Sequence, residues 1–265
     1  MRAAVLGSPI GHSLSPALHR AAYAALGLPW EYDAVDVVPA DLRAFLDGLG
    51  PEWAGLSLTM PLKQAVLPLL TTCSHLAVAT GAANTVVLHD GERHGHNTDV
   101  AGIVEALREA GLTTATRGAV LGGGATAASA VAALAALGCS SVHAFVRAPG
   151  RAGPLREAAE RLGVTLLVAP LTPRLLSEPL DVVVSTTPAG ALDALARVVE
   201  LPEQPPLLLD VVYDPWPTPL AAAFARAHAT VVPGAALLLH QAAAQVELMT
   251  GQPAPVEAMR AALKA

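Results

Sequence analysis

At 265 residues and 26.9 kDa, the chain has the length of one large domain or two modest ones, and either can bury a substantial core. Its residues are 53% hydrophobic and 14% charged, which excludes an intrinsically disordered chain. A formal net charge of −6, a pI near 5.8 and the absence of any basic run argue against a protein that binds nucleic acid by neutralising phosphates.

The mean hydropathy of +0.48 raises the question of a membrane span, because residues 118–146 contain no Asp, Glu, Lys or Arg. Gly122-Gly123-Gly124 and Gly138-Cys139-Ser140-Ser141 cut this stretch into strand, helix and strand, each too short to cross a bilayer. Met1 to Gly7 carries only Arg2 as a charge and lacks the long apolar run of a signal peptide. Cys73 and Cys139 show neither metal spacing nor a disulfide framework. The expectation is a soluble, cytoplasmic protein. Lysine occurs only at Lys63 and Lys264, so 14 of the 16 basic residues are Arg (16 − 2). Arg holds its proton at neutral pH whereas Lys can release one when its site demands it, which singles out Lys63.

In chain order, residues 3–7 read as a buried strand. A helix follows over 17–26, with Ser15 as N-cap, Pro16 at its first position and Gly27 ending it. Strands are expected at 30–37 and 54–59, with a helix at 40–49 between them. A helix starts at Pro61 and another lies near 74–80. Thr85–His89 and Glu92–His96 flank Asp90-Gly91, a hairpin signal. A long helix runs from Val100 to Ala110. Apolar strands at 118–122, 142–146, 165–168, 181–185 and 207–212 then alternate with helical stretches, the pattern of a parallel, doubly wound sheet. A last strand at 229–233 precedes Ala-rich helices at 235–249 and 254–264. The fold class is α/β: an N-terminal α/β domain plus a Rossmann-type dinucleotide-binding domain, with a cleft between them.

Gly122-Gly123-Gly124-Ala125-Thr126-Ala127 follows an apolar strand and opens an uncharged helix, fitting G-x-G-x-x-A. Gly122 would make the tight turn, Gly124 would admit a pyrophosphate to the helix N-terminus, and Ala127 would allow close helix–strand packing. The next strand ends in Arg147, with Arg151 close behind and no acid between, where an NAD site would place Asp or Glu. An arginine fork suits a ribose 2′-phosphate and hence NADP; two solvated loop arginines are the other reading. Ser13 and Ser15, two apart at a helix start, suit a carboxylate; capping alone would account for Ser15 but not Ser13. Asn84-Thr85 and Asn97-Thr98-Asp99 form polar clusters at strand ends, where Thr98 or Asp99 could also serve as an N-cap. His94 and His96 share a strand face without a third ligand, so no metal site is expected.

The ordered set Ser13-Leu14-Ser15-Pro16, Thr59-Met60-Pro61-Leu62-Lys63, Ala83-Asn84-Thr85, Asn97-Thr98-Asp99, Gly122 to Thr126, Tyr213-Asp214-Pro215, Thr218-Pro219-Leu220, and Gly234 with His240-Gln241 resembles the shikimate dehydrogenase family along the whole chain. The resemblance implies NADP-dependent, reversible reduction of 3-dehydroshikimate to shikimate in aromatic amino-acid biosynthesis. It implies a catalytic pair, Lys63 and Asp99, and serines 13 and 15 on the substrate carboxylate. Thr59, Lys63, Asn84, Asp99 and Gln241 would bind the ring hydroxyls. Gly122, Gly123, Gly124, Ala125, Thr126, Arg147, Arg151, Thr186, Val211, Tyr213 and Gly234 would hold the cofactor. Residues 1–101, completed by helices within 238–265, would form the substrate and catalytic domain and 102–237 the NADP domain, in a monomer or homodimer.

Three positions depart from the family pattern. Ser57 stands where the family usually has Asn, Ala125 replaces a Gly, and Val146-Arg147-Ala148 keeps the arginine of the usual Asn-Arg-Thr but loses its polar neighbours. Related activities on quinate or aminoshikimate, and a non-catalytic dinucleotide-binding regulator, are the alternatives. A regulator would have no reason to keep Lys63 and Asp99 together with the polyol-binding set.

Overall fold

A computed structural model of the chain describes residues 1–174, 176 and 178–263, arranged in two compact units, Met1–Gly102 with Leu238–Ala265, and Ile103–Leu237. The first segment contains β1 (Arg2–Gly7), α1 (Ser15–Ala25), β2 (Glu31–Asp36), α2 (Leu42–Asp47), β3 (Trp53–Leu58), α3 (Leu62–Ala65), β4 (Thr72–Cys73), α4 (His75–Thr80), β5 (Thr85–His89), β6 (Glu92–His96) and the start of α5 (Asp99–Glu109). The strands form one mixed sheet in the order β2-β1-β3-β5-β6-β4. β1 pairs parallel with β2 and β3, and β5 pairs antiparallel with β3 and β6. At the hairpin tip Asp90 and Gly91 both take positive φ, 51° and 78°, as a two-residue turn between twisted strands requires.

Strand alternation gives this sheet two cores. Ala3 and Val5 face Leu18, Ala22, Tyr23 and Tyr32, while Ala4 and Leu6 face Leu42, Leu56, Leu62 and Val86. The two-residue β4, parallel to β6, has no counterpart among the sequence-based expectations.

The second unit runs β7 (Arg117–Leu121), α6 (Ala125–Ala136), β8 (Ser141–Val146), α7 (Gly153–Arg161), β9 (Thr165–Pro170), β10 (Val182–Ser185), α8 (Asp193–Ala196), β11 (Leu207–Asp210), α9 (Pro219–Arg226) and β12 (Val231–Pro233). All six strands are parallel, in the order β12-β11-β10-β7-β8-β9. This is the doubly wound dinucleotide-fold order, in which direction reverses between β7 and β10. Strict strand–helix alternation fails once. Among the described residues no helix joins β9 to β10. Pro170, Pro173 and Pro179 fall in or beside that crossover, and each lacks the N–H a helix needs.

The chain then enters α10 (Gly234–Thr250) and α11 (Val256–Ala262). Leu239, Val246 and Met259 of these helices complete the core around α1 and β2. The expected last helix reached Lys264, which lies outside the described residues. Among the described residues no helix is long and apolar enough to cross a membrane.

Candidate active site

In the first unit, β3 delivers the chain into the turn Thr59–Pro61 and then α3, where Lys63 sits. The Ala83 N–H donates to the Lys63 carbonyl at 2.8 Å and pins that backbone. Asp99 opens α5, and its N–H donates to Asn97 Oδ1 at 3.1 Å. Asn97 is itself held, its Nδ2 donating to Thr80 Oγ1 at 2.8 Å and to the Ala82 carbonyl at 3.2 Å. These supports bring Lys63 Nζ to 2.5 Å from Asp99 Oδ2, with the two side chains only 16% and 6% exposed. A buried ion pair gains from low dielectric but leaves a stranded charge if either partner is removed.

Asn84 ties further groups to this pair. Its Nδ2 donates to Asp99 Oδ1 at 2.8 Å, to Thr98 Oγ1 at 2.9 Å and to Gln241 Oε1 at 3.3 Å. Its Oδ1 accepts from the Thr98 N–H at 2.8 Å, which sets the orientation of the amide. Lys63, Asn84, Asp99 and Gln241 are thus one cluster. Thr59 stands at the end of β3, with its methyl against Gly7.

The serines are placed differently from expectation. Ser15 is the first residue of α1 and does not cap it; the N-cap position is Leu14, with no side-chain cap. Ser13 Oγ instead accepts from the Ser15 N–H at 3.3 Å, a local contact just ahead of the helix, and Ser15 is buried. Pro16 lacks an N–H that would be unpaired anywhere in the first turn, and its φ suits the second helical position as well as the first, so the helix can begin one residue earlier than the capping pattern suggested. One turn on, the wholly buried His19 pairs its Nδ1 with the Ser15 carbonyl at 2.9 Å and stacks on Tyr32 at 3.9 Å. Burial pushes the His19 imidazole down from 6.5 to about 4, against the smaller opposing effect of the Ser15 hydrogen bond. No hydrogen bond joins Ser13 or Ser15 to the Lys63 cluster among those described. His94 pairs with Thr72 Oγ1 at 2.8 Å and lies 3.4 Å from Glu92.

Gln245 escaped the sequence reading. It lies four residues after Gln241 on α10, so both amides share a helix face. Two glutamines at that spacing in an otherwise apolar helix segment were the available signal.

In the second unit, Gly122 follows β7 with φ +118°, a conformation that L side chains rarely adopt. A Cβ there would stand 2.5 Å from Thr186 Oγ1, and Thr186 donates to the Leu121 carbonyl at 2.9 Å, closing the ends of β7 and β10 together. Gly123 and Gly124 are exposed. Ala125 and Thr126 begin α6, whose N-cap Gly124 offers no side-chain oxygen and whose first turn carries no acid. The free N–H groups and the room beside Gly124 fit a pyrophosphate. Gly123, Val146, Arg147, Ala148, Arg151 and Ala152 line an open cavity of about 450 Å³, with both arginines exposed and no carboxylate among the lining residues described. That donor set fits a ribose phosphate.

Asp210, at the end of β11, organises the following loop. Thr218 Oγ1 donates to its Oδ2 at 2.7 Å and the Val212 N–H to its Oδ1 at 3.3 Å, while burial pushes its carboxyl up. The loop carries Val211 and the half-buried Tyr213, whose phenol is also pushed up by burial. Gly234 packs on it so closely that a Cβ would overlap the Val211 carbonyl. An acid ending the apolar run Leu207–Asp210 was the sequence sign of this clasp.

A doubly wound sheet with a glycine turn, and a separate α/β unit with a buried Lys–Asp pair among amides, define a dinucleotide-dependent oxidoreductase. The shikimate dehydrogenase substrate binding domain family matches residues 5–86, and the shikimate 5'-dehydrogenase C-terminal domain family matches residues 234–264. The chain is 40% identical to the shikimate dehydrogenase (NADP(+)) of Moorella thermoacetica, over 98% of this chain and 92% of that protein. It superposes on Mycobacterium tuberculosis shikimate dehydrogenase with a TM-score of 0.90 at 41% identity, covering 99% and 98% of the two chains. A shikimate 5-dehydrogenase from Thermus thermophilus, solved in complex with NADP(H) and shikimate, matches with a TM-score of 0.86 at 30% identity over 100% and 98%. The chain belongs to the shikimate dehydrogenase family.

Proposed function

We propose that this chain is an NADP-dependent shikimate dehydrogenase, interconverting 3-dehydroshikimate and shikimate in the biosynthesis of aromatic amino acids. The observation that carries the reading is the Lys63–Asp99 pair at 2.5 Å, bound through Asn84 to Gln241. In this reading residues 1–101 with the helices within 238–265 hold the substrate, and residues 102–237 hold the cofactor. The two unpaired cysteines, Cys73 and Cys139, suit a reducing, cytoplasmic setting.

Reduction of the ketone adds a hydride to carbon and a proton to oxygen. The nicotinamide cofactor, when bound, supplies the hydride. The residues of this chain supply the rest. Lys63 donates the proton to the forming alkoxide, and Asp99 orients the ammonium and shares its proton. In the reverse direction the same pair takes the hydroxyl proton. Asn84 and Gln241 offer amide groups to ring hydroxyls, and Thr59 offers its hydroxyl. Ser13 and Ser15, at the start of α1, offer hydroxyls to the substrate carboxylate. The glycine turn and α6 receive the pyrophosphate, Arg147 and Arg151 the 2′-phosphate, and Thr186, Val211, Tyr213 and Gly234 border the rest of the cofactor.

Steady-state assays with shikimate and quinate, each with NADP and NAD, test the reading. The expected result is the highest kcat/KM for shikimate with NADP. Faster turnover of quinate would assign the related quinate activity, and no turnover of either would sink the reading.

A further inference from the structure

The polar cage around Asp99 extends far beyond the residues that could touch a substrate. Tyr32 on β2 is fully buried, and its hydroxyl donates to Ser57 Oγ at 2.6 Å. Ser57, buried in β3, donates to Gln245 Oε1 at 2.8 Å. Gln245 is 1% exposed, and its Nε2 donates to Thr85 Oγ1 at 3.1 Å and to the Asn84 carbonyl at 3.3 Å. The Thr85 hydroxyl donates to Asn84 Oδ1 at 2.9 Å, and Asn84 donates to Asp99.

This string has only one sense. The Asn84 carbonyl is an acceptor and already takes the Leu58 N–H at 2.7 Å, so the Gln245 amide must present its nitrogen there. Its oxygen must then face Ser57, which obliges the Ser57 hydroxyl to donate. The Ser57 oxygen is left to accept, and only a donor such as the Tyr32 phenol can satisfy it. Reversing any member would leave a buried polar atom unpaired. Burial also pushes the Tyr32 phenol up, keeping it a donor.

We propose that Gln245, clamped by Ser57 and Tyr32, is a positioning residue that holds Asn84, and through it Asp99, in register with Lys63. The proposal rests on the reading of Lys63 and Asp99 as the proton-transferring pair. Ser57, shorter than the asparagine of the family pattern, works here as one half of a two-residue clamp, Tyr32 supplying the other half. The Thr98 N–H already sets which way the Asn84 amide faces. Gln245 therefore restrains the Asn84 backbone and the Thr85 hydroxyl rather than the flip itself, and its effect is smaller than that of a reacting group. Gln241, one turn earlier on the same face of α10, is held to Asn84 as well.

The test uses Gln245→Leu and Ser57→Ala, each alone and with Asn84→Ala. With Asn84 present, each variant should lower kcat/KM for shikimate about fivefold to tenfold, the scale of one or two hydrogen bonds. With Asn84→Ala the same changes should cost less than about twofold, because the route through which they act is gone. Equal factors in the two backgrounds would overturn the proposal, as would unchanged kcat/KM in the single variants. If Gln245→Leu does not fold, Ser57→Ala, a truncation by one oxygen, decides alone. A ligand-free readout accompanies this: the side-chain amide NMR signals of Asn84 should shift in Ser57→Ala, although Ser57 does not touch them. Unchanged Asn84 signals would overturn the proposal too. A wild-type protein that did not turn over shikimate would refute the functional reading alone, and the Asn84 signals would still decide the positioning claim.

Discussion

Lys63 and Asp99, 36 residues apart in sequence, meet at 2.5 Å, and neither side chain is more than 16% exposed. Lys63 is the only lysine among the described residues of a chain that otherwise uses Arg for positive charge. A proton that can leave, and not charge alone, distinguishes the two residue types. Lys63→Met and Lys63→Arg should each lower kcat by about 100-fold or more, the usual scale of acid–base catalysis. The Arg variant is the informative one, since it keeps the charge beside Asp99 but holds its proton. Near-wild-type kcat in a folded Lys63→Arg protein would reduce Lys63 to an electrostatic role and leave the proton to Asp99 or a water.

The serine pair gives a prediction of the opposite kind. Ser13 Oγ already accepts from the Ser15 N–H, so its hydroxyl proton is free to donate outward. Ser13→Ala and Ser15→Ala should each raise KM for shikimate more than they lower kcat. A lost hydrogen bond to a charged group costs roughly 1.5–3 kcal/mol, about 10-fold to 100-fold in affinity. Initial-rate kinetics on both variants check this, and unchanged KM and kcat in both would remove the serines from the site.

Local chemistry was readable where one or two residues dictate a backbone state. Asp90-Gly91 signalled a hairpin because both must take positive φ, and the glycine run after Leu121 signalled a strand-to-helix turn for the same reason at Gly122. Ser15 shows the limit of such signals, since two serines and a proline within four residues fit two helix starts equally well. The parallel pairing of β4 with β6 rests on two residues and carries no periodicity at all. The clamp on Gln245 was illegible for another reason. Ser57 and Gln245 are 188 residues apart, and a side-chain hydrogen bond over that distance leaves no local pattern. The meeting of Lys63 with Asp99 came from the family resemblance and not from spacing.

Cofactor choice turns on the cavity beside Gly123. Arg147 and Arg151 are both exposed there, and no carboxylate lies among its described lining residues to meet a free ribose hydroxyl. Changing both arginines to Ala should raise KM for NADP far more than KM for NAD. A wild-type preference for NAD in kcat/KM would refute the assignment.

Gly234 tests the other end of the same unit. A Cβ there overlaps the Val211 carbonyl, and the loop cannot retreat freely because Asp210 ties it through Thr218 and the Val212 N–H. Gly234→Ala should displace the Val211–Tyr213 segment and weaken NADP binding by about fivefold or more, since an overpacked site costs roughly 1–3 kcal/mol. Fluorescence titration with NADPH measures it directly. Unchanged affinity would show that this segment does not border the cofactor.

His19 carries the last prediction, on stability. The ring is wholly buried, stacked on Tyr32, and its Nδ1 faces a carbonyl, so Nδ1 bears the proton and Nε2 is an unprotonated nitrogen without a hydrogen-bond partner. Protonation would place a charge on that nitrogen in an apolar core, which is why the imidazole is pushed down to about 4. Unfolded, the same ring titrates near 6.5. Between these values the unfolded chain binds the extra proton and the folded chain does not, so stability rises with pH across that window. The contribution is complete above about pH 6.5 and lost by about pH 4, and its size is about 3 kcal/mol from the two pKa values. Urea unfolding at pH 7 and at pH 4.5 should therefore show a marked loss of stability in the wild type. Carboxylates titrate in the same range, so the comparison that isolates His19 is with His19→Gln, which retains a donor for the Ser15 carbonyl but has no titrating ring. The variant should be less stable at pH 7 and should lose less on acidification. Parallel pH profiles for the two proteins would show that His19 is not the group responsible.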